Sequence, residues 1–143
     1  MNSFTRAYIH FVWATWDREP IIEEAIETRL YAGIADACRN MKGQPLEIGG
    51  TADHVHVLVR LPATVSIAEM AQQMKGISSH LVNHVLKPNS KFRWQGAYGA
   101  LSVSPNDVAS IRAYIRSQKE HHANDSLEVE LEQVFDETEE IVD

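Results

Sequence analysis

The sequence contains a single cysteine, Cys38, so no disulfide can form within the chain. Cys38 lies on the apolar side of a predicted helix, where a buried thiol in a reducing compartment is the expected state. No apolar run approaches the roughly 20 residues of a membrane span, and no signal-peptide hydrophobic segment stands at the N-terminus. With 143 residues, 44% of them hydrophobic, we expect one cytoplasmic domain with its own core and no membrane partner.

Basic residues are outnumbered by acidic ones, 13 to 20, so the formal net charge is -7. The excess of acid is local. Residues 123–143 hold nine of the 20 acidic residues and no Lys or Arg, which leaves 13 basic against 11 acidic residues in the rest of the chain. We therefore divide the chain into a mildly basic domain, 1–122, and an acidic tail, 123–143. The tail is either a solvated helix end or a segment that screens a basic groove.

The most informative segment is Thr51–Val59, which alternates with the period of a β-strand. One face is purely Val, and the other carries His54, His56 and Leu58. Side chains two residues apart stand about 7 Å apart along a strand and on the same face. Two imidazoles in this arrangement could bind one metal ion. A surface strand that happens to carry two histidines is the alternative, since an isolated His-x-His motif has little specificity.

The remaining periodicities predict three more strands and three helices. The second helix has the clearest start signal, because Ser66 and Glu69 have the spacing of a capping box. Ser104 and Pro105 mark the start of the third, as N-cap and first helical residue. The predicted elements are a strand over 4–16, a helix from Pro20 to about Met41, a strand near 46–49, the histidine strand, a helix from Ile67 to Val85, a strand over 98–103 and a helix from Pro105 to about His122.

The order β-α-β-β-α-β-α predicts an α+β fold, a ferredoxin-like split β-α-β sandwich with an additional C-terminal helix. In that arrangement the antiparallel sheet has its first two helices on one face. The valine face of the histidine strand would meet those helices. We expect His54 and His56 on the opposite, open face, together with Tyr8 and His10 of the first strand.

The C-terminal helix carries Tyr114 and Gln118 one turn apart. At 100° per residue the two side chains flank the apolar stripe formed by Val108, Ile111 and Ile115. Tyr114 could be a half-buried core aromatic. Its pairing with an amide, in a chain that also has two histidines on one strand, suggests a nucleophile beside a third metal ligand.

These residues carry a resemblance to a known family. Asp53-His54-Val55-His56 resembles the HUH motif (His, hydrophobic residue, His) of the single-tyrosine HUH transposases of small bacterial insertion sequences, which include the repeat-associated tyrosine transposases. The similarity covers about residues 7–122. Its further segments are Phe11-Val12-Trp13-Ala14-Thr15, Lys75-Gly76-Ile77-Ser78-Ser79, Phe92-Arg93-Trp94-Gln95, and Tyr114-Ile115-Arg116-Ser117-Gln118 with His121-His122.

The resemblance implies a metal-dependent enzyme that cleaves and rejoins single-stranded DNA with hairpin-forming ends. It implies Tyr114 as the nucleophile that forms a 5′-phosphotyrosine, and His54, His56 and Gln118 as ligands of Mg²⁺ or Mn²⁺. It also implies a homodimer in which the active site is shared between subunits, although the repeat-associated relatives can act as monomers.

Other polar residues receive weaker assignments. We place His10 beside the histidine pair, and we expect Asp53 to point away from His54 because neighbours in a strand face opposite sides. His80 and His84 form another pair one helical turn apart that could bind metal, but without an acid or Cys beside them we expect them on the exposed side of their helix or near DNA phosphates. The expected DNA path is basic with Trp94 or Tyr98 as a stacking surface, and its basic residues are Arg60, Lys75, Lys91, Arg93, Arg112 and Arg116.

Two other classes of function fit the same sequence. A ferredoxin-like domain with an open sheet face is a common platform for nucleic acids, so the protein could bind DNA or RNA without cleaving it. It could also be a small-molecule or metal-sensing module that uses His54 and His56 for structure.

Overall fold

The computed structural model describes residues 3–123. Within these residues the chain forms one four-stranded sheet and four α-helices. The strands are β1 (Ala7–Ala14), β2 (Gln44–Gly50), β3 (His54–Leu61) and β4 (Gly99–Val103). The helices are α1 (Glu24–Asn40), α2 (Ile67–Leu81), α3 (Val108–Arg116) and α4 (Gln118–Ala123).

The sheet has the strand order β2-β3-β1-β4, and every neighbouring pair is antiparallel. The two central strands, β1 and β3, are joined through α1 and β2, which is the connectivity of the predicted split β-α-β sandwich. In the β1–β3 register Phe11 lies opposite Val57 and Val12 opposite His56. The predicted fold class is therefore confirmed.

The main core fills the space between the sheet and the helices α1 and α2. Val55, Val57 and Val59 of β3 are completely buried there, as their alternation predicted. The facing side chains are apolar and come from β1 and both helices: Ile9, Phe11, Trp13, Leu30, Ile34, Met70 and Met74. Cys38 is also buried in this core, and burial raises the pKa of its thiol to about 11.

Helix α2 begins as predicted. The Ser66 side chain accepts a hydrogen bond from the backbone N–H of Glu69, and the Glu69 carboxylate accepts one from the N–H of Ser66. The helix ends at Leu81 and continues as a π-helical turn over Val82–Leu86, which includes the predicted end at Val85.

Helix α1 begins later than predicted, at Glu24 instead of Pro20. The residue before a proline is driven away from helical geometry, and Glu19 is extended. The N–H of Ile22 then donates to the carbonyl of Ala52, the residue before Asp53 and β3. This part of the chain therefore bonds to another segment and not within a helix. The 3-10 turn Trp16–Arg18 occupies the connection after β1.

The C-terminal segment corrects two expectations. It forms two helices separated at Ser117 instead of one continuous helix. It also covers the sheet face that was expected to be open, because the apolar stripe of α3 packs against Leu58 and Leu101. A stripe of this kind gains free energy by leaving water, and the second sheet face offers it apolar partners.

No helix within residues 3–123 is long and apolar enough to cross a membrane. The predicted acidic tail lies outside the described residues except for Ala123.

Candidate active site

The two histidines of β3 lie side by side on the sheet face beneath α3. His54 is 0% exposed and His56 is 1% exposed, and their ring centroids are 5.2 Å apart. The alternation of the strand positions them, since the intervening Val55 points into the opposite core.

Tyr114 and Gln118 approach this pair from the end of α3 and the start of α4. Gln118 Oε1 is 3.1 Å from His54 Nε2. The Tyr114 ring lies edge-on to the His56 ring with their centroids 5.7 Å apart. The side-chain amide of Gln118 donates to the carbonyl of Tyr114 at 3.4 Å, so the one-turn spacing survives the break at Ser117. The four side chains singled out in the sequence therefore meet at one place within one chain.

Asp53 contacts His54, which corrects the expectation that it points away. The Nδ1–H of His54 donates to Asp53 Oδ1 at 2.7 Å, and the Thr51 hydroxyl donates to the same oxygen at 3.0 Å. Asp53 precedes β3, which begins at His54, so the alternation of strand side chains does not govern it. Burial alone would raise the pKa of Asp53, but the hydrogen bonds from His54 and Thr51 and the charge of Arg18 together lower it.

His10 lies beside His56, as expected. Its Nε2 is 2.8 Å from His56 Nδ1, and it is 1% exposed. Burial lowers the pKa of His10 to about 4, so at neutral pH the ring is uncharged and has one nitrogen that can accept a hydrogen bond. When His56 donates from Nδ1 to this acceptor, the lone pair of His56 is on Nε2.

The distance between His54 Nε2 and Gln118 Oε1 suits a shared cation. With Asp53 accepting from Nδ1, a neutral His54 has its lone pair on Nε2, and this lone pair and the amide oxygen are then two acceptors facing each other at 3.1 Å. Adjacent ligands of octahedral Mg²⁺, each at about 2.1 Å, are about 3 Å apart. In the described part of the chain no three His, Cys, Asp or Glu side chains form a metal cluster, so a metal site with three protein ligands here would need the amide oxygen as one of them.

Most of the basic residues proposed for DNA are engaged with the protein. Arg112 and Arg116 both contact Glu47 Oε1, at 3.3 and 2.9 Å. Arg60 donates to the carbonyl of Thr5 at 2.7 Å. These side chains are at least partly exposed, and Lys91 is exposed on the loop before β4.

Lys75 holds the segment before β4 in place. Its ammonium donates to the carbonyls of Gln95 and Ala97 at 2.8 and 3.0 Å, and burial lowers its pKa to about 8. Trp94 is a core residue instead of a stacking surface, because it is 7% exposed and packs edge-to-face with Trp13 and Phe92.

Two further histidines are arranged as expected. His80 near the end of α2 and His84 in the π-helical turn that follows are both exposed, and their rings stack with centroids 4.2 Å apart.

The structure also exposes an aromatic residue that the sequence analysis did not identify as functional. Trp16 is 40% exposed beyond the end of β1, and the guanidinium carbon of Arg93 lies 4.0 Å from its ring centroid.

The close contact between β2 and α3 yields a stability prediction. A Cβ atom at Gly49 would lie 2.2 Å from the carbonyl oxygen of Ile115, which belongs to helix backbone and cannot simply rotate away. We expect Gly49→Ala to lower the free energy of unfolding in urea by about 1–3 kcal/mol, the usual range for overpacking. Gly76→Ala in α2 is the control, since a Cβ added there would meet no atom within 4 Å apart from the neighbouring backbone of its own helix, and a helical Gly→Ala change adds up to about 1 kcal/mol. Equal stability of the two variants would contradict the predicted contact.

Comparisons with known proteins identify the family and the fold. A profile of IS200-like transposases matches residues 3–118. The fold is similar to that of a proposed transposase from Deinococcus radiodurans R1, with a TM-score of 0.65 and 22% identity over 82% of this chain and 95% of that chain. It is also similar to a REP-associated tyrosine transposase bound to a REP hairpin, with a TM-score of 0.61 and 15% identity over 82% of this chain and 72% of that chain. At these identities the two structures establish a shared fold. No curated protein matches the sequence.

Proposed function

The chain belongs to the family of IS200-like transposases, enzymes that cleave and rejoin DNA, and on that premise we propose that it acts on single-stranded DNA through a 5′-phosphotyrosine at Tyr114. The observation that carries the proposal is the convergence of His54, Gln118 and Tyr114. Two potential metal ligands are 3.1 Å apart, and a phenol lies beside the second histidine.

We propose that His54 Nε2, His56 Nε2 and Gln118 Oε1 hold one Mg²⁺ or Mn²⁺ ion. None of these ligands is negatively charged, and three remaining octahedral positions can take phosphate oxygens and water. The bound metal supplies Lewis-acid activation of the scissile phosphate. Asp53 holds the His54 ring in the required tautomer, as carboxylates commonly do for metal-bound histidines.

In the proposed reaction the Tyr114 hydroxyl attacks the phosphorus of a DNA phosphodiester. An Oη–P bond forms and the P–O3′ bond breaks, the phenolic proton is lost, and the released 3′-oxygen gains a proton. This transesterification leaves a 5′-phosphotyrosine and a free 3′-hydroxyl, and attack by another 3′-hydroxyl reverses it. One phosphoester replaces another, so rejoining needs no external energy source.

The site is closed in the described conformation. Tyr114 is 7% exposed and Gln118 is 1% exposed, so a phosphate reaches them only after part of the covering segment moves. Helix α4 is the element we propose to move, because it is short and separated from α3 at Ser117. Lys119 ties it to Glu27 of α1 at 2.6 Å across an exposed contact.

Hairpin-forming DNA ends are part of the proposal. The structurally similar REP-associated tyrosine transposase is bound to a REP hairpin, which supports a substrate of the same kind. We also propose a homodimer, for which the family resemblance is the support.

The resemblance implied an active site shared between the two subunits, whereas the contacts of Tyr114 and Gln118 lie within one chain. These contacts favour a site built in each chain. We therefore expect a mixture of the His54→Ala and Tyr114→Phe variants to form less than about a tenth of the wild-type covalent adduct, because neither chain has both parts. Recovery of a substantial part of the wild-type adduct in the mixture would instead support a site shared between subunits.

His10 provides a test of the proposed ligand set. His10→Phe keeps an aromatic ring in the core but removes the acceptor for His56 Nδ1–H. We expect it to weaken Mn²⁺ binding by about 10–100-fold in calorimetry, the usual cost of losing such a partner. His80→Phe is the matched control because His80 is exposed on α2. Equal weakening by both variants, or by neither, would contradict a role for His10 in positioning His56.

The central experiment is covalent trapping. Wild-type protein is incubated with single-stranded oligonucleotides carrying a hairpin, with Mn²⁺ or Mg²⁺ or with EDTA, and analysed by denaturing electrophoresis. We expect a protein–DNA adduct with metal and none with EDTA or with fully duplex DNA. Binding without any adduct on a panel of hairpin substrates from the flanks of the encoding gene would favour a non-catalytic nucleic-acid binder. Metal binding without DNA binding would favour a metal sensor.

A further inference from the structure

Trp16 differs from the other two tryptophans of the chain. Trp13 and Trp94 are 0% and 7% exposed and fill the core, whereas Trp16 is 40% exposed. Because two fifths of its surface stays in water, the Trp16 indole forgoes part of the favourable free energy of burial. Arg93 covers one part of the ring, with its guanidinium carbon 4.0 Å from the centroid.

The turn that presents Trp16 has an unfavourable backbone. Asp17 and Arg18 have φ angles of 55° and 52°, in the left-handed region that residues with a Cβ seldom adopt. Such conformations persist where surrounding contacts hold them, and they cluster at ligand sites. Here the Trp16 N–H donates to the carbonyl of Arg93 at 2.8 Å, and the Arg18 N–H donates to the carbonyl of Thr15 at 3.0 Å.

The turn is joined directly to the candidate active site. The N–H of Thr15 donates to the carbonyl of Asp53 at 2.8 Å, and Arg18 Nε lies 3.6 Å from Asp53 Oδ2. Asp53 in turn accepts from His54. Trp16 therefore lies at the end of the sheet where β1 stops and β3 begins with His54, and not at the opposite end of these strands.

The charge around the indole is mixed. Arg93 forms no ion pair within residues 3–123, while Arg18 is paired with Asp53, and Asp17 and Glu19 are exposed on the same turn. A guanidinium without a carboxylate partner can contact a DNA phosphate or stack on a base, both of which arginine does well.

We propose that Trp16 and Arg93 form a subsite for one unpaired nucleobase of the DNA strand that enters the active site, an inference that rests on the proposed function. The indole stacks on the base, and the guanidinium stacks beside it or contacts its phosphate. Every base has an aromatic face, so the subsite tolerates any sequence. A base inside a duplex has both faces occupied, so the subsite selects single-stranded DNA close to the cleavage point.

The fluorescence of the chain provides a direct test, because Trp16 is the one exposed tryptophan of three. Acrylamide quenching is measured on the full chain carrying Tyr114→Phe, which prevents cleavage, with and without a saturating single-stranded 12-mer. We expect the oligonucleotide to reduce the quenching constant of the accessible component by at least about twofold, since stacking shields the indole. Trp16→Phe should remove that component.

Binding affinity gives the second readout. We expect Trp16→Ala to weaken binding of the single-stranded 12-mer by about tenfold, within the range for loss of one stacked base. Phe4→Ala is the matched control. Phe4 is 76% exposed with Arg6 over its ring, but it lies before β1, about 25 Å of strand away from the turn after β1.

Each outcome decides the proposal. The subsite proposal is overturned if Trp16 stays fully quenchable when the oligonucleotide is saturating. It is also overturned if the Trp16→Ala variant binds the 12-mer as tightly as the Phe4→Ala variant does. Both conclusions hold even if the wild-type protein forms the covalent adduct. Protection of Trp16 with the tenfold loss supports it, even if no adduct forms and the proposed function fails. Absence of any binding to single-stranded DNA overturns both.

Discussion

Tyr114→Phe is expected to abolish the covalent protein–DNA adduct while changing the affinity for single-stranded DNA by less than about twofold. The change removes one oxygen atom. The ring remains, so its edge-on contact with His56 and the packing of Ile115 in the same cluster are preserved. Phenylalanine has no nucleophilic atom, and the loss should therefore be complete instead of graded.

Tyr98→Phe is the matched control for this experiment. Tyr98 is half-buried against the main core, where its ring centroid is 6.2 Å from that of Phe11, and it is neither a proposed metal ligand nor the proposed nucleophile. The change to Phe also keeps the ring that was expected to stack on DNA. It should form the adduct at the wild-type rate. An adduct of undiminished yield with Tyr114→Phe would identify another nucleophile and end the assignment. Mass spectrometry of the trapped wild-type peptide should place the added nucleotide on Tyr114.

The parts of this site that could be predicted are those with short-range signals. The alternation of Val55 and Val57 with His54 and His56 predicts which face each side chain takes, since a period of two leaves no other choice. The capping box at Ser66 and Glu69 likewise depends on residues only three apart. These features are local and were correct.

The errors arose where local rules end or where distant segments meet. Asp53 stands one residue before its strand, so alternation gave the wrong direction for its side chain. The covering of the histidine face by α3 depends on packing between distant segments, although the apolar stripe of Val108, Ile111 and Ile115 indicated that the helix needed an apolar surface.

The pairing of His10 with His56 could be suspected from the sequence, but the sequence does not determine it. Both side chains were assigned to the same sheet face, but their contact requires the β1–β3 register that places Val12 opposite His56. Neither strand encodes that register by itself. The exposed position of Trp16 is similar, because it is presented by a turn with left-handed residues at Asp17 and Arg18. Asp tolerates that conformation better than most residues, but Arg has no preference for it, and the sequence contains no glycine there to mark the turn.

Removal of a proposed metal ligand is expected to have the second large effect. His54→Ala should lower both Mn²⁺ affinity and the rate of adduct formation by at least about 100-fold, because losing even the partner of a metal-bound histidine costs about 10–100-fold. Asp53→Asn, which keeps the shape of the side chain but weakens the acceptor for His54 Nδ1–H, should fall within that smaller range. We expect His54→Ala to be the more severe change because it removes a metal ligand, whereas Asp53→Asn only weakens the hydrogen bond that orients this ligand.

The controls for His54→Ala separate loss of the metal from loss of the fold. His54 is completely buried, so the variant must first retain a cooperative thermal transition and the far-ultraviolet circular dichroism of the wild type. His84→Ala removes a histidine from the exposed, stacked pair at the end of α2 and should leave metal affinity unchanged. A folded His54→Ala variant with wild-type Mn²⁺ affinity would exclude the proposed ligand set. If this variant lost adduct formation but kept wild-type Mn²⁺ affinity, His54 would instead be assigned a direct contact with the DNA phosphate, without the metal ion.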